Sequence, residues 1–172
     1  RVLFRSNLAA GESHVETFTV VVTDDKGGTA EQTVSVTVNG TNDAPVITSG
    51  VQAGSVTEDT SLVATGQVTS SDVDHGATAS YAVANDKGTY GSLAVDAATG
   101  AWTYTLDNAA HQNLAAGESH VETFTVVVTD DKGGTAEQTV SVTVNGTNDA
   151  PDRKSTRLNS SHVSESRMPS SA

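Results

Sequence analysis

The sequence predicts an all-β sandwich of about seven strands, set in tandem repeats, and three observations carry that reading. Apolar residues alternate with Thr and Ser at a period of two through most of the chain. Clusters of Gly, Asp and Asn interrupt those runs at the spacing of short strands joined by tight turns. Residues 7–45 also recur unchanged as residues 113–151, displaced by 106 positions. A period of that size exceeds a solenoid unit and suits an independently folding domain, so residues 46–151 read as one complete unit. Residues 7–45 read as the last third of the unit before it.

Within the unit, short strand segments are expected at 46–48, 62–69 and 79–84. Leu93 and Val95 then lead into a turn closed at Thr99 and Gly100. Beyond it Trp102, Tyr104 and Leu106 alternate with Thr103 and Thr105, a second arm for which Trp102 is the core anchor. The strongest alternation places Phe124, Val126 and Val128 on one face, with Glu122, Thr123 and Thr125 read as polar content. Asp130, Asp131, Lys132, Gly133 and Gly134 supply turn chemistry, and Gln138, Val140, Val142 and Val144 alternate with Thr139, Ser141 and Thr143. Only the short connection at 108–116 shows convincing helical periodicity. The first copy holds a hairpin alone, which is marginal in water and competes for the place of its duplicate.

The charge narrows the function classes. Nine Lys and Arg face 21 Asp and Glu, a net charge of −12, which disfavours nucleic acid and favours divalent cations and basic partners. There is no cysteine, so disulfides and thiolate metal sites are excluded. No apolar run approaches the ~18 residues of a membrane span.

The ends differ from the middle. Six of the nine basic residues (Arg1, Arg5, Arg153, Lys154, Arg157 and Arg167) lie there with the single methionine, Met168. Residues 1–6 and 152–157 are compatible with one DNA segment read from opposite strands, and the stretch at 152–172 continues the pattern. Both ends resemble translated sequencing adapter, the second expected as a disordered tail, and they are set aside as non-native. The chain then reads as an internal fragment of a longer frame.

The segments GSLAVDAATGAWTYTLDN, FTVVVTDDKGGTAEQTVSVTVNGTNDAP and VTEDTSLVATGQVTSSDVDHG resemble a VCBS repeat, similar to the cadherin-like and immunoglobulin-like modules of large bacterial surface adhesins. The resemblance covers residues 46–151 wholly and 7–45 in part. It implies an immunoglobulin/cadherin-like sandwich, calcium as cofactor, no catalysis, and a secreted or bacterial cell-surface location in adhesion or biofilm.

Calcium needs six to eight oxygens, which loops at facing domain ends and the linker between them can supply. Carried over by position, Asn42, Asp43, Asp72, Asp74 and Asp130 serve an upstream site. Glu58, Asp107, Asn148 and Asp149 begin a downstream one. The linker TNDAP has fewer acids than the usual cadherin linker, and no second acid follows Asp107. Each aspartate alone is equally a turn former; as a set, their clustering at matching ends favours calcium.

No enzyme is expected. His75 precedes a glycine in a turn, His14 and its copy His120 begin strands, and His111 lies in a connection without zinc spacing. The Asp131-Lys132-Gly133-Gly134 run lacks the phosphate-loop pattern and joins two strands. The expected role is a calcium-stiffened spacer that projects a binding tip, with neighbouring identical repeats as partners. The alternatives are a repeat that binds glycan or an identical repeat on another cell through avidity, for which Tyr81 and Tyr90 are the candidate platform, or an appendage of a secreted enzyme or toxin. Nucleic acid and membrane insertion are not expected.

Overall fold

A computed structural model describes residues 7–149; the adapter-like segments, Ala150 and Pro151 lie outside the described residues. Eleven strands follow in order: β1 (Ser13–Thr23), β2 (Thr29–Asn39), β3 (Val46–Ile47), β4 (Gln52–Thr57), β5 (Val63–Gln67), β6 (Ser70–Ser71), β7 (Ala79–Val83), β8 (Gly91–Val95), β9 (Ala101–Leu106), β10 (Ser119–Asp130) and β11 (Thr135–Asn145). The connection at 108–116 is turn and coil, so the helical reading there is corrected. Its carbonyls and amides close on neighbours, as in Ala110 N–H donating to Asp107 O at 3.3 Å, instead of propagating a helix.

Two sheets form the sandwich. One has the order β4-β11-β10-β7, with β4 parallel to β11, and the other β5-β9-β8. The small β3-β6 pair stands beside them. Period-two alternation explains the packing: Phe124, Val126, Val128, Val140, Val142 and Val144 point inward and meet Leu93, Trp102, Tyr104 and Leu106 from the facing sheet. Trp102 is 1% exposed and donates its indole N–H to Gln52 Oε1 at 2.8 Å.

Two expectations about the strands are corrected. β4 has no counterpart in the sequence reading, because its inward positions are Gln52, Gly54 and Val56. A Cβ at Gly54 would lie 3.2 Å from the Trp102 ring, so the large indole fills the space that apolar side chains normally mark. Glu122 belongs to the inward phase of β10, with 6% exposure. Its Oε1 accepts the backbone N–H groups of Thr89 and of Tyr90 (2.9 Å for Tyr90), and its Oε2 accepts the Tyr104 hydroxyl at 2.5 Å. A carboxylate so supplied with donors sits inside without an opposing charge.

β1 and β2 form a separate two-stranded sheet whose register repeats that of β10 and β11: Phe18 faces Val34 as Phe124 faces Val140. Nothing covers its apolar face among the described residues, and Phe18 is 50% exposed where Phe124 is 4%.

Candidate metal sites at the two ends of the sandwich

At the upstream end, Asp130 closes the β10–β11 turn. Its Oδ1 accepts the N–H groups of Lys132 and Gly134, both at 2.8 Å. Asp24 makes the same turn in the first copy, at 2.9 Å from Lys26 N and 2.7 Å from Gly28 N, so sequence alone forms it. Only Asp130 gains a tertiary partner: its Oδ2 accepts Asn42 Nδ2 at 3.0 Å. That amide, with the turn's backbone N–H groups and against the effect of burial, holds the Asp130 carboxyl below the usual aspartate range.

The linker is held a second time. Asp43 N–H donates to Asp74 Oδ2 at 2.9 Å, and Asp74 N–H donates to Asp72 Oδ1 at 2.9 Å, an Asx turn. The linker thus ties Asn42 to Asp130 and Asp43 to Asp74 and Asp72. The neighbouring cation is already engaged, since Lys132 Nζ lies 2.6 Å from Asp131 Oδ2. Asp72 Oδ2 and Asp74 Oδ1 are buried and accept no hydrogen bond.

The first copy's opening loop reaches this end too. Asn7 O accepts His75 N–H at 2.9 Å, and Glu12 Oε1 lies 3.2 Å from His75 Nδ1. Glu12 was absent from the expected set. Its duplicate Glu118 caps its own loop through Ala115 N–H at 2.9 Å, a purely local role that the sequence pattern shows no better.

At the downstream end Glu58 is fully buried. Its Oε2 accepts Thr147 N–H at 3.4 Å, while Oε1 has no partner. Asp59, not among the expected ligands, organises the loop. It adopts a positive φ of 62°, its Oδ1 accepts Asn108 Nδ2 at 2.9 Å and Gln112 Nε2 at 3.3 Å, and its Oδ2 accepts the Thr147 hydroxyl at 3.2 Å. Asn108 above all, aided by Gln112, Thr147 and Asp149 and opposed by burial, holds its carboxyl below the usual range. Thr147 thus links Asp59 to Glu58, its hydroxyl donating to Asp59 and its backbone N–H to Glu58. Asp107 and Asn148 are exposed at the same end, and among the described residues no hydrogen bond links either side chain to Glu58.

Among the described residues no group of three or more acidic or imidazole side chains is placed to hold a metal ion. The 106-residue offset makes Asn148 and Asp149 the equivalents of Asn42 and Asp43.

The candidate glycan platform is not assembled. Tyr81 is 8% exposed and its hydroxyl lies 2.9 Å from Ser70 Oγ. Tyr90 is half-buried, and the imidazoles of His111 and His120 lie with their centroids 4.9 Å from its ring in tilted contacts.

A two-sheet sandwich with acidic loops at both ends defines a cadherin-like module. The chain belongs to the bacterial cadherin-like domain family, whose model matches residues 42–146; no catalytic family is indicated. A search of curated proteins gave no match. Among solved structures, the chain is similar to protocadherin gamma B7 extracellular cadherin domains 1–4, with TM-score 0.52 and 18% identity over 85% of this chain and 34% of that one. It is also similar to protocadherin gamma B2 extracellular cadherin domains 1–5, with TM-score 0.50 and 22% identity over 84% of this chain and 27% of that one. At these identities the likeness is one of fold. The chain spans about a third or less of the length of those structures.

Proposed function

We propose that the chain is a calcium-stiffened extracellular repeat of VCBS type, part of a large bacterial adhesin or biofilm protein, spacing a binding tip from the cell surface. Residues 46–151 form one unit and 7–45 the end of the unit before it. The observation that carries this is the set of orphaned carboxylate oxygens. Of four buried side-chain polar atoms without a partner among the described residues, three are Glu58 Oε1, Asp72 Oδ2 and Asp74 Oδ1, all on expected ligands. Burying a carboxylate oxygen without a partner is unfavourable, and a hard divalent cation between facing ends supplies what it lacks.

Glu58, Asp107, Asn148 and Asp149 would hold the ion from one side, and the equivalents of Asp72, Asp74 and Asp130 in the next unit from the other. When bound, calcium neutralises acidic ends that otherwise repel, and the linker loses its freedom. Extracellular modules bind calcium at roughly 10⁻⁴–10⁻³ M, so stiffening follows export from a calcium-poor cytosol. The partners are the neighbouring repeats.

The test is thermal unfolding of two 46–151 units in tandem, which contains one whole junction, in millimolar calcium, in chelator and with magnesium. A calcium-specific rise in Tm, lost with Asp72→Ala in the second unit, supports the proposal. Superimposable curves overturn it.

A further inference from the structure

We infer that the loop at residues 7–12 is a metal-independent docking surface for the repeat that follows it, and that residues 113–118 offer the same surface to the next repeat in turn. The inference rests on the reading of residues 7–45 as the end of a preceding unit. The occupant is already seated on the loop: His75, in the turn at 72–76, donates its N–H to Asn7 O at 2.9 Å, and its Nδ1 lies 3.2 Å from Glu12 Oε1. A carboxylate only accepts, so the imidazole is the donor in the second contact. Burial shows which residues are covered. Ala9 is 8% exposed and Ala10 and Glu12 are half-buried, whereas their duplicates Ala115, Ala116 and Glu118 are exposed. Both copies carry the same hairpin, and the duplicate lies in the fuller unit, so the cover over Ala9 comes from the following unit and not from its own.

The loop's shape is its own. Glu12 N–H donates to Ala9 O at 3.0 Å, Ala9 N–H to Glu12 Oε2 at 3.2 Å and Gly40 N–H to Glu12 O at 2.9 Å, with Gly11 at a φ of 87°. The three bonds recur through Glu118, Ala115 and Gly146 at 2.9, 2.9 and 3.0 Å, with Gly117 at 89°. A loop that folds alike within a whole unit and within part of one presents the same atoms in both. Glu118 engages Oε2 in its own loop as Glu12 does, which leaves Oε1 for the His75 equivalent of the next unit. The linker adds two contacts on the same side, Asn42 to Asp130 and Asp43 to Asp74. These contacts set the angle between units before any ion binds. His75 adjoins Asp74, so the loop also holds the 72–74 turn against the linker. An ion arriving at groups already ordered has less freedom to remove.

The test is NMR on the full chain in chelator. The His75 amide is expected to exchange with deuterium at least about tenfold more slowly than an unstructured amide. Backbone nitrogen relaxation should give the β1-β2 hairpin one tumbling time with the sandwich. Ala9→Arg should abolish both, because Ala9 is covered. Ala115→Arg makes the same change in the same loop at an exposed position and should leave both intact, so it controls for damage to the loop itself. A His75 amide that exchanges freely in the parent overturns the inference, as does protection that survives Ala9→Arg, or an equal loss with Ala115→Arg. Any of these failures leaves the calcium proposal to its own two-unit melting test, since no metal enters this measurement.

Discussion

Tyr104 on β9 donates its hydroxyl to Glu122 on β10 at 2.5 Å, joining the two sheets through a buried polar contact. The same carboxylate holds the 88–90 loop by its backbone N–H groups, and a Cβ at Gly88 would lie 2.5 Å from Glu122 Oε1. Glu122→Ala removes three donors' acceptor at once, and a buried donor left unpaired costs about 1–3 kcal/mol. The variant is expected to lose at least about 2 kcal/mol in urea unfolding. A change within error would mean that water satisfies the loop.

The pair also shapes the alkaline limb of stability. Burial first, then Glu122 by hydrogen bond and by charge, pushes the Tyr104 phenol above its ordinary 10.0. The native state then keeps a proton that the unfolded chain releases. Stability from this group is complete below pH 10 and declines as pH rises beyond it. Tyr104→Phe should be less stable at neutral pH and decline less steeply above pH 10. Tyr81 and Tyr90 are common to both proteins, so the difference between their urea curves isolates Tyr104. Parallel alkaline limbs would refute the coupling.

Gly66 on β5 lies under the Trp102 ring, where an added Cβ would stand 2.6 Å from Cε2. Backbone and indole cannot both keep their places, and overpacking of this kind costs about 1–3 kcal/mol. Gly66→Ala should lower stability by that amount and shift the emission of the single tryptophan to the red, since Trp102 is 1% exposed in the native packing. Unchanged emission with unchanged stability would show that β5 yields instead.

The hairpins were legible because side-chain type and direction agree there: Val140, Val142 and Val144 alternate with Thr and Ser, and Asp130 with Gly134 writes the turn. β4 was illegible for the opposite reason, since Gln52 and Gly54 face inward only because Trp102, fifty residues away, occupies the space and needs an acceptor. Glu122 misled in the same way. Its residue type says surface, while its phase with Phe124 and Val126 says interior, and the donors that decide between them come from Tyr104 and the 88–90 loop. At the ends, family resemblance pointed to the acids, but Asp59 emerged as the organiser only once Asn108, Gln112 and Thr147 were seen to converge on it.

Glu58 gives the sharpest test of the proposed ion, because metal and apo states should respond in opposite directions. It is 0% exposed with Oε1 unpartnered, so without a cation its charge is a liability. A neutral amide of the same shape is less costly to bury. In the first unit of a two-unit tandem, Glu58→Gln is therefore expected to raise Tm in chelator, by the equivalent of about 1 kcal/mol, and to diminish the rise that calcium produces. Differential scanning calorimetry across a calcium titration reads both effects in one protein, and the variant and parent curves should cross. A variant less stable than the parent in chelator would show that the carboxylate is satisfied without metal, and the orphaned oxygen would no longer argue for an ion at this end.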